Sequence, residues 1–169
     1  LTEFQSLKRR LLSRSDSSHS FRHLKSDMGG LDDLEFTIRF LQLLMGKRIP
    51  EIQSGNVFDV LFQLEQSDIL NGQEHVVLKD NYVFLRTVSH RLQLSDDQPV
   101  DALPVDEHAL SRLSRMAQPQ VAGDAPVSLA SRLEKVAAEN RAILGHLLQD
   151  PATEGQCPER DLVLGGEGS

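Results

Sequence analysis

Two adjacent glycines, Gly29 and Gly30, stand just ahead of three carboxylates, Asp32, Asp33 and Glu35. A residue without a Cβ lets a ligand or another backbone come close. If a helix begins directly after the pair, its free N–H groups and its dipole favour a phosphate or a carboxylate at that point. The pattern therefore offers an anion seat, with a plain turn as the alternative. Carboxylates can hold Mg²⁺ when two of them converge on one point. On a helix, Asp32 and Glu35 would share a face and Asp33 would not. The alternative there is a charged first turn on an amphipathic helix.

Other chemistry finds little material. The chain has no Gly-x-x-x-x-Gly-Lys-Ser/Thr loop and no Gly-x-Gly-x-x-Gly after a strand. Its one cysteine, Cys157, rules out an internal disulfide and a cysteine-pair zinc site, and fits a reducing cytosol. None of the histidines (His19, His23, His75, His90, His108 and His146) forms a helical His-x-x-x-His pair with a nearby glutamate. His19 and His23 have the spacing but sit in a polar segment not expected to be helical. No metal site and no catalytic residue is assigned within this chain.

The elements that must carry these residues read as helices. Over 2–14, Phe4, Leu7, Leu11 and Leu12 oppose Lys8, Arg9 and Arg10. A polar lead-in covers 15–28. From Leu31 to Met45, apolar residues recur every three or four positions (Leu31, Leu34, Ile38, Leu41, Met45), and Gly46 with Pro50 ends the helix. A third helix is expected over about Asn56–Gln66, with Val57, Val60, Leu61 and Leu64 inward. A turn follows at Asn71-Gly72, then a long helix over about Gln73–Leu94 with Leu78, Tyr82, Leu85, Val88 and Leu92 inward. Asp106 has the character of an N-cap for 107–117, with Leu110, Leu113 and Met116 inward. The last helix spans about Val127–Gln149, and its stripe of Leu129, Leu133, Val136, Asn140, Ile143 and Leu147 has one polar member. Loops are expected over Asp96–Pro104 and Gln118–Pro126. No stretch keeps a period of two, so the expected fold is all-α: a bundle of five or six helices. Residues 1–149 form the domain, with its core in 29–149, and residues 150–169 form a flexible acidic tail.

At 169 residues and 39% hydrophobic, the chain can bury a core without disulfides. No apolar run approaches the length of a membrane span, and the start lacks a signal-peptide pattern. It also lacks a Met, as a piece of something longer or a processed chain would. A net charge of −7 argues against nucleic acid as a partner. The charge is uneven: six cations against two carboxylates over residues 1–25, and five carboxylates against Arg160 over the last twenty. A solvated helix face explains the basic end as well as a phosphate-bearing ligand does. The expected setting is a soluble, cytoplasmic domain.

The run from Leu24 to Phe36 resembles a signature of glutamine synthetase adenylyltransferases. Lys25, Gly29, Gly30, Leu31, Asp33, Leu34, Glu35 and Phe36 match it, and Phe40-Leu41-Gln42-Leu43 is similar to the turns that follow. Tyr82-Val83-Phe84-Leu85-Arg86 and His90-Arg91-Leu92-Gln93-Leu94 resemble the family's Phe-Leu-Arg…His-Arg-Leu helix. Asp97–Pro104 is similar to its next loop, and Val136–Leu148 to its closing helix. The resemblance covers about residues 5–149 and departs at Asp32, where the family often has Arg, Thr or Val. It implies the helical domain that follows a nucleotidyltransferase domain; Asp33 and the Asp-Gln-Pro-Val-Asp loop favour the C-terminal, adenylylating half.

The implied reaction is transfer of AMP from MgATP to a tyrosine of glutamine synthetase. The catalytic carboxylates would lie in a Gly-Ser-Asp-x-Asp motif of the preceding domain, and MgATP would not be bound by this fragment alone. The resemblance assigns Lys25, Gly29 and Gly30 as phosphate or partner contacts. It gives Asp33 and Glu35 the task of orienting the loop or a domain interface. The implied partners are the preceding domain, glutamine synthetase and a nitrogen-signalling regulator. Two alternatives stand beside this: a non-catalytic interaction module, or the related domain of a nitrogen-signalling uridylyltransferase, against which Glu35-Phe36 argues.

Overall fold

The computed structural model describes residues 22–96, 102–117 and 128–149. The helix expected over 2–14, the loop over Gln118–Pro126 and the acidic tail lie outside them. Among the described residues there are five α-helices and no strands: α1 Leu31–Met45, α2 Val57–Gln66, α3 Gly72–Asp96, α4 Glu107–Ala117 and α5 Leu129–Gln149. A single 3₁₀ turn, Pro50–Ile52, joins α1 to α2. The fold is all-α, as the periodicity predicts. No helix among the described residues is long and apolar enough to cross a membrane.

Helix α3 is the hub, and each of the other four packs on it. Its sequence shows why. Leu78, Tyr82, Leu85, Val88 and Leu92 are buried along one side. Asn81, Phe84 and Ser89 widen the buried arc beyond a single stripe. A surface helix buries a stripe, whereas one with neighbours on several sides must bury more of its circumference. The same apolar set from α1, α2 and α5 closes on it in one core.

Local capping fixes the ends. Asn56 accepts a hydrogen bond from the Phe58 N–H at 3.0 Å, and Asp106 accepts from Ala109 N–H at 2.8 Å. Ser128 starts α5 in the same way, accepting from Ser131 N–H. Each satisfies a donor that the first helical turn leaves unpaired.

Three expectations are corrected. Asn71-Gly72 is not a free turn, because Gly72 is already helical. Asn71 and Glu74 form a reciprocal cap, with Glu74 N–H donating to Asn71 Oδ1 and Asn71 N–H to Glu74 Oε2. Met116 is not inward; it is 45% exposed, and Ala117 is buried in its place. At 3.6 residues per turn, Leu110, Leu113 and Ala117 fall within a narrow arc, and Met116 lies about 90° from its middle. Val57, Leu110 and Ile143 are half-buried rather than enclosed.

The central position of α3 sets an expectation for stability. Leu85→Ala, at a fully buried site, should cost about 2–5 kcal/mol. Leu43→Ala, where Leu43 is 82% exposed, should cost under about 0.5 kcal/mol. Urea unfolding followed by circular dichroism measures both.

Candidate functional site

The double-glycine loop sits at the start of α1 and against the middle of α5. Gly29 has φ +78°, in the left-handed region that glycine occupies without strain. An added Cβ would lie 2.3 Å from the Ala137 carbonyl oxygen and 2.9 Å from its Cα. At Gly30 a Cβ would lie 2.7 Å from the carbonyl oxygens of Leu24, Lys25 and Asp27. Both glycines are therefore close-approach residues. What approaches Gly29 is the backbone of α5, and what approaches Gly30 is the turn before it.

Four successive donors at this helix start, from Gly29 to Asp32, are engaged. Gly29 N–H donates to Asp33 Oδ2 at 2.9 Å, and Gly30 N–H to the Asp27 carbonyl at 2.8 Å. Leu31 N–H and Asp32 N–H donate to the carbonyls of Leu24 and Lys25. The turn over 24–27 thus caps α1 with backbone oxygens, in place of the side chain that Gly30 lacks. On the other side, Asn140 Nδ2 donates to Gly29 O at 2.7 Å and Arg141 donates to Met28 O at 3.2 Å. Asn140 is wholly buried, and its Oδ1 accepts from Asn81 of α3 at 3.0 Å.

This overturns the reading of Gly29 and Gly30 as an exposed anion seat. Both are buried, and their N–H groups point at protein oxygens. Lys25 is half-buried, and its carbonyl takes part in the cap. The three carboxylates do not converge either. Asp32 is exposed, Asp33 turns back to Gly29, and Glu35 reaches across to α3. Among the described residues, no group of three or more His, Cys, Asp or Glu could hold a metal ion.

The Glu35 contact brings together two motifs that are far apart in the chain. Tyr82 Oη donates to Glu35 Oε1 at 3.3 Å, and Arg86 Nη1 lies 3.9 Å from the same oxygen. The Arg86 guanidinium sits over the Tyr82 ring, 5.7 Å from its centroid. Phe58 of α2 meets the same ring edge-on at 5.8 Å. Burial raises the Tyr82 phenol above its ordinary value of 10.0. The Glu35 carboxylate raises it further, and the Arg86 charge opposes the rise. Residues 35 and 82 are individually legible in the sequence. Their meeting is not, because it depends on how α1 crosses α3. Asn140 carried a clear signal, being the one polar member of an apolar stripe.

The family model of the GlnD PII-uridylyltransferase matches residues 5–148. The chain belongs to this family. Among curated relatives, the bifunctional glutamine synthetase adenylyltransferase/adenylyl-removing enzyme of Streptomyces avermitilis is 32% identical over 115 residues, covering 68% of this chain and 12% of that protein. Its counterpart in Streptomyces coelicolor is 33% identical over 113 residues, covering 67% of this chain and 11% of that protein. The counterpart in Mycobacterium avium is 32% identical over 119 residues, covering 69% and 12%. The matched stretch thus spans about one tenth of the length of these relatives. It is a helical domain of the adenylyltransferase type, and the resemblance read from Leu24–Phe36 agrees with all three.

Two outcomes follow from this geometry. Gly29→Ala should cost more than about 3 kcal/mol, because a backbone clash adds to positive-φ strain. Asn140→Ala should cost about 2–4 kcal/mol, because it removes the donor to the buried Gly29 O and leaves Asn81 only its contact with Glu139; denaturant unfolding reads both.

Tyr82 is the sole tyrosine and there is no tryptophan, so phenolate absorbance near 295 nm reports it alone. Its midpoint should lie above 10, fall in Glu35→Gln and rise in Arg86→Gln. A folded-state value above the unfolded one means that this contribution to stability is complete below about pH 10 and is lost as pH rises through the folded value.

Proposed function

We propose that this chain is the helical domain that follows a nucleotidyltransferase domain in a glutamine synthetase adenylyltransferase. In that enzyme it would form one wall of the active-site cleft or the glutamine synthetase contact. The single observation that carries the reading is the agreement of the relatives, named for adenylyl transfer and removal, each over two thirds or more of this chain. The parent's reaction would be attack of a tyrosine hydroxyl of glutamine synthetase on the α-phosphate of MgATP, which forms the tyrosyl–AMP bond and releases pyrophosphate. In this reading the metal and the catalytic carboxylates lie in the preceding domain. The chemistry then belongs to the preceding domain, and this one contributes shape and position.

A corrected task goes with this. Gly29 and Gly30 build the domain rather than seat an anion, and Asp33 orients their loop through the Gly29 N–H. Their contribution to the parent is to hold α1 and α5 in one rigid body. Lys25, at the edge of the loop, is the remaining candidate for a partner contact. The description of the matching family as a PII-uridylyltransferase supports a second reading, in which the parent transfers UMP to a PII protein.

Nucleotide and acceptor separate these readings. The parent protein, given α-labelled ATP and glutamine synthetase, should label the synthetase, and the 169-residue chain alone should not. Label from UTP on a PII protein, with none from ATP on glutamine synthetase, would establish the second reading. Adenylylation by this chain alone would sink both.

A further inference from the structure

The surface between α1 and α3 folds into a small cleft where the Ser54-Gly55 turn passes beside them. Its volume is about 160 Å³. Pockets that enclose small-molecule ligands run to roughly 300–1,000 Å³. This cleft therefore suits one side chain rather than a nucleotide.

Its charged lining is Arg39 and Arg86 against Glu35. That local cationic excess stands in a chain of net charge −7. Each guanidinium is positioned yet keeps donors to spare. Arg39 Nη1 holds Gln42 Oε1 at 3.3 Å, and Arg86 rests over Tyr82 beside Glu35. A guanidinium has five N–H donors, so one contact leaves most of the fork open. The floor is fixed, because Gln42 Nε2 donates to the carbonyls of Ile52 and Ser54 at 2.6 and 2.7 Å. The carboxylate of Asp59, nearby on α2, is engaged by Ser54 Oγ at 3.0 Å.

Gly55 lines the same cleft and is unlike Gly29. A Cβ built on it meets nothing within 4 Å, and its φ lies outside the left-handed region. Neither packing nor backbone conformation calls for glycine there. A side chain there would extend into open space at the edge of the cleft. Next to it, Phe58 packs edge-on against Tyr82 while 38% exposed, and Phe62, one turn further along α2, is 48% exposed.

We propose that this cleft is a docking site for an acidic polypeptide segment. One aspartate or glutamate carboxylate enters past Gly55 and is held by Arg39 and Arg86, and a neighbouring apolar residue lies on Phe58. Arginine forks match a carboxylate with two parallel charge-assisted bonds, and an exposed aromatic beside them adds apolar area. The proposal is independent of the parent's nucleotide chemistry, so its failure leaves the family reading intact.

The test is an NMR titration of the ¹⁵N-labelled 169-residue chain with a capped leucyl-glutamyl-glutamyl-phenylalanine tetrapeptide. Saturable shifts are expected at the Gly55 amide and at the Nε–H signals of Arg39 and Arg86. The same peptide with glutamine for glutamate should produce none. Gly55→Glu should weaken binding at least tenfold with an unchanged circular dichroism spectrum. The double variant Arg39→Gln with Arg86→Gln should do the same, and it decides the case if Gly55→Glu does not fold. No shift at these three positions, or equal binding by the double variant, overturns the proposal. Shifts produced there by MgATP and not by the peptide would assign the cleft to phosphate and overturn it equally.

Discussion

The approach of the Gly29 backbone to the Ala137 backbone is the contact on which the rest of this bundle is arranged. No side chain can stand between them, since a Cβ would lie 2.3 Å from a helical carbonyl oxygen. Around that approach, polar groups are matched on each side. Asp33 takes the Gly29 N–H, Asn140 supplies a donor to the Gly29 oxygen, and Asn81 supplies a donor to Asn140. Three helices, α1, α5 and α3, are thereby tied through one buried chain of hydrogen bonds. A buried polar group is costly unless it is satisfied, and a satisfied network fixes one arrangement among many that an apolar interface would tolerate.

A second tie works on the opposite side of α1. Glu35, Tyr82 and Arg86 connect the first helix of the core to the hub helix close to the surface. Arg86 and Glu35 are both substantially exposed, so their ion pair is worth little in itself. The buried Tyr82 ring supplies most of the energy, and the charges set direction. The two ties differ in kind. One is enclosed and structural, and the other lines a cleft that solvent reaches.

For function, this division matters more than the presence of any single motif. The segment that resembles a ligand loop is consumed in holding helices together. A small cleft beside α1, lined by Arg39, Gly55 and Arg86, stays open to solvent. A rigid bundle can hold neighbouring groups in fixed relation without supplying a reactive group itself. Helical domains are suited to this because packed helices move as units.

The sequence by itself determined the helices, most of their ends and the residues that form the core. Apolar spacing of three and four is a local property, and capping by Asn56 and Asp106 acts within one turn. It also determined that Gly29 and Gly30 permit close approach, because that follows from the missing Cβ. Only the tertiary structure decided what approaches. A glycine accommodates a phosphate oxygen and a helix carbonyl equally well, and Ala137 lies more than a hundred residues away. The same limit hid the pairing of Glu35 with Tyr82. Those choices are made by how helices cross, and crossing is fixed by surfaces that come together only when the chain has folded.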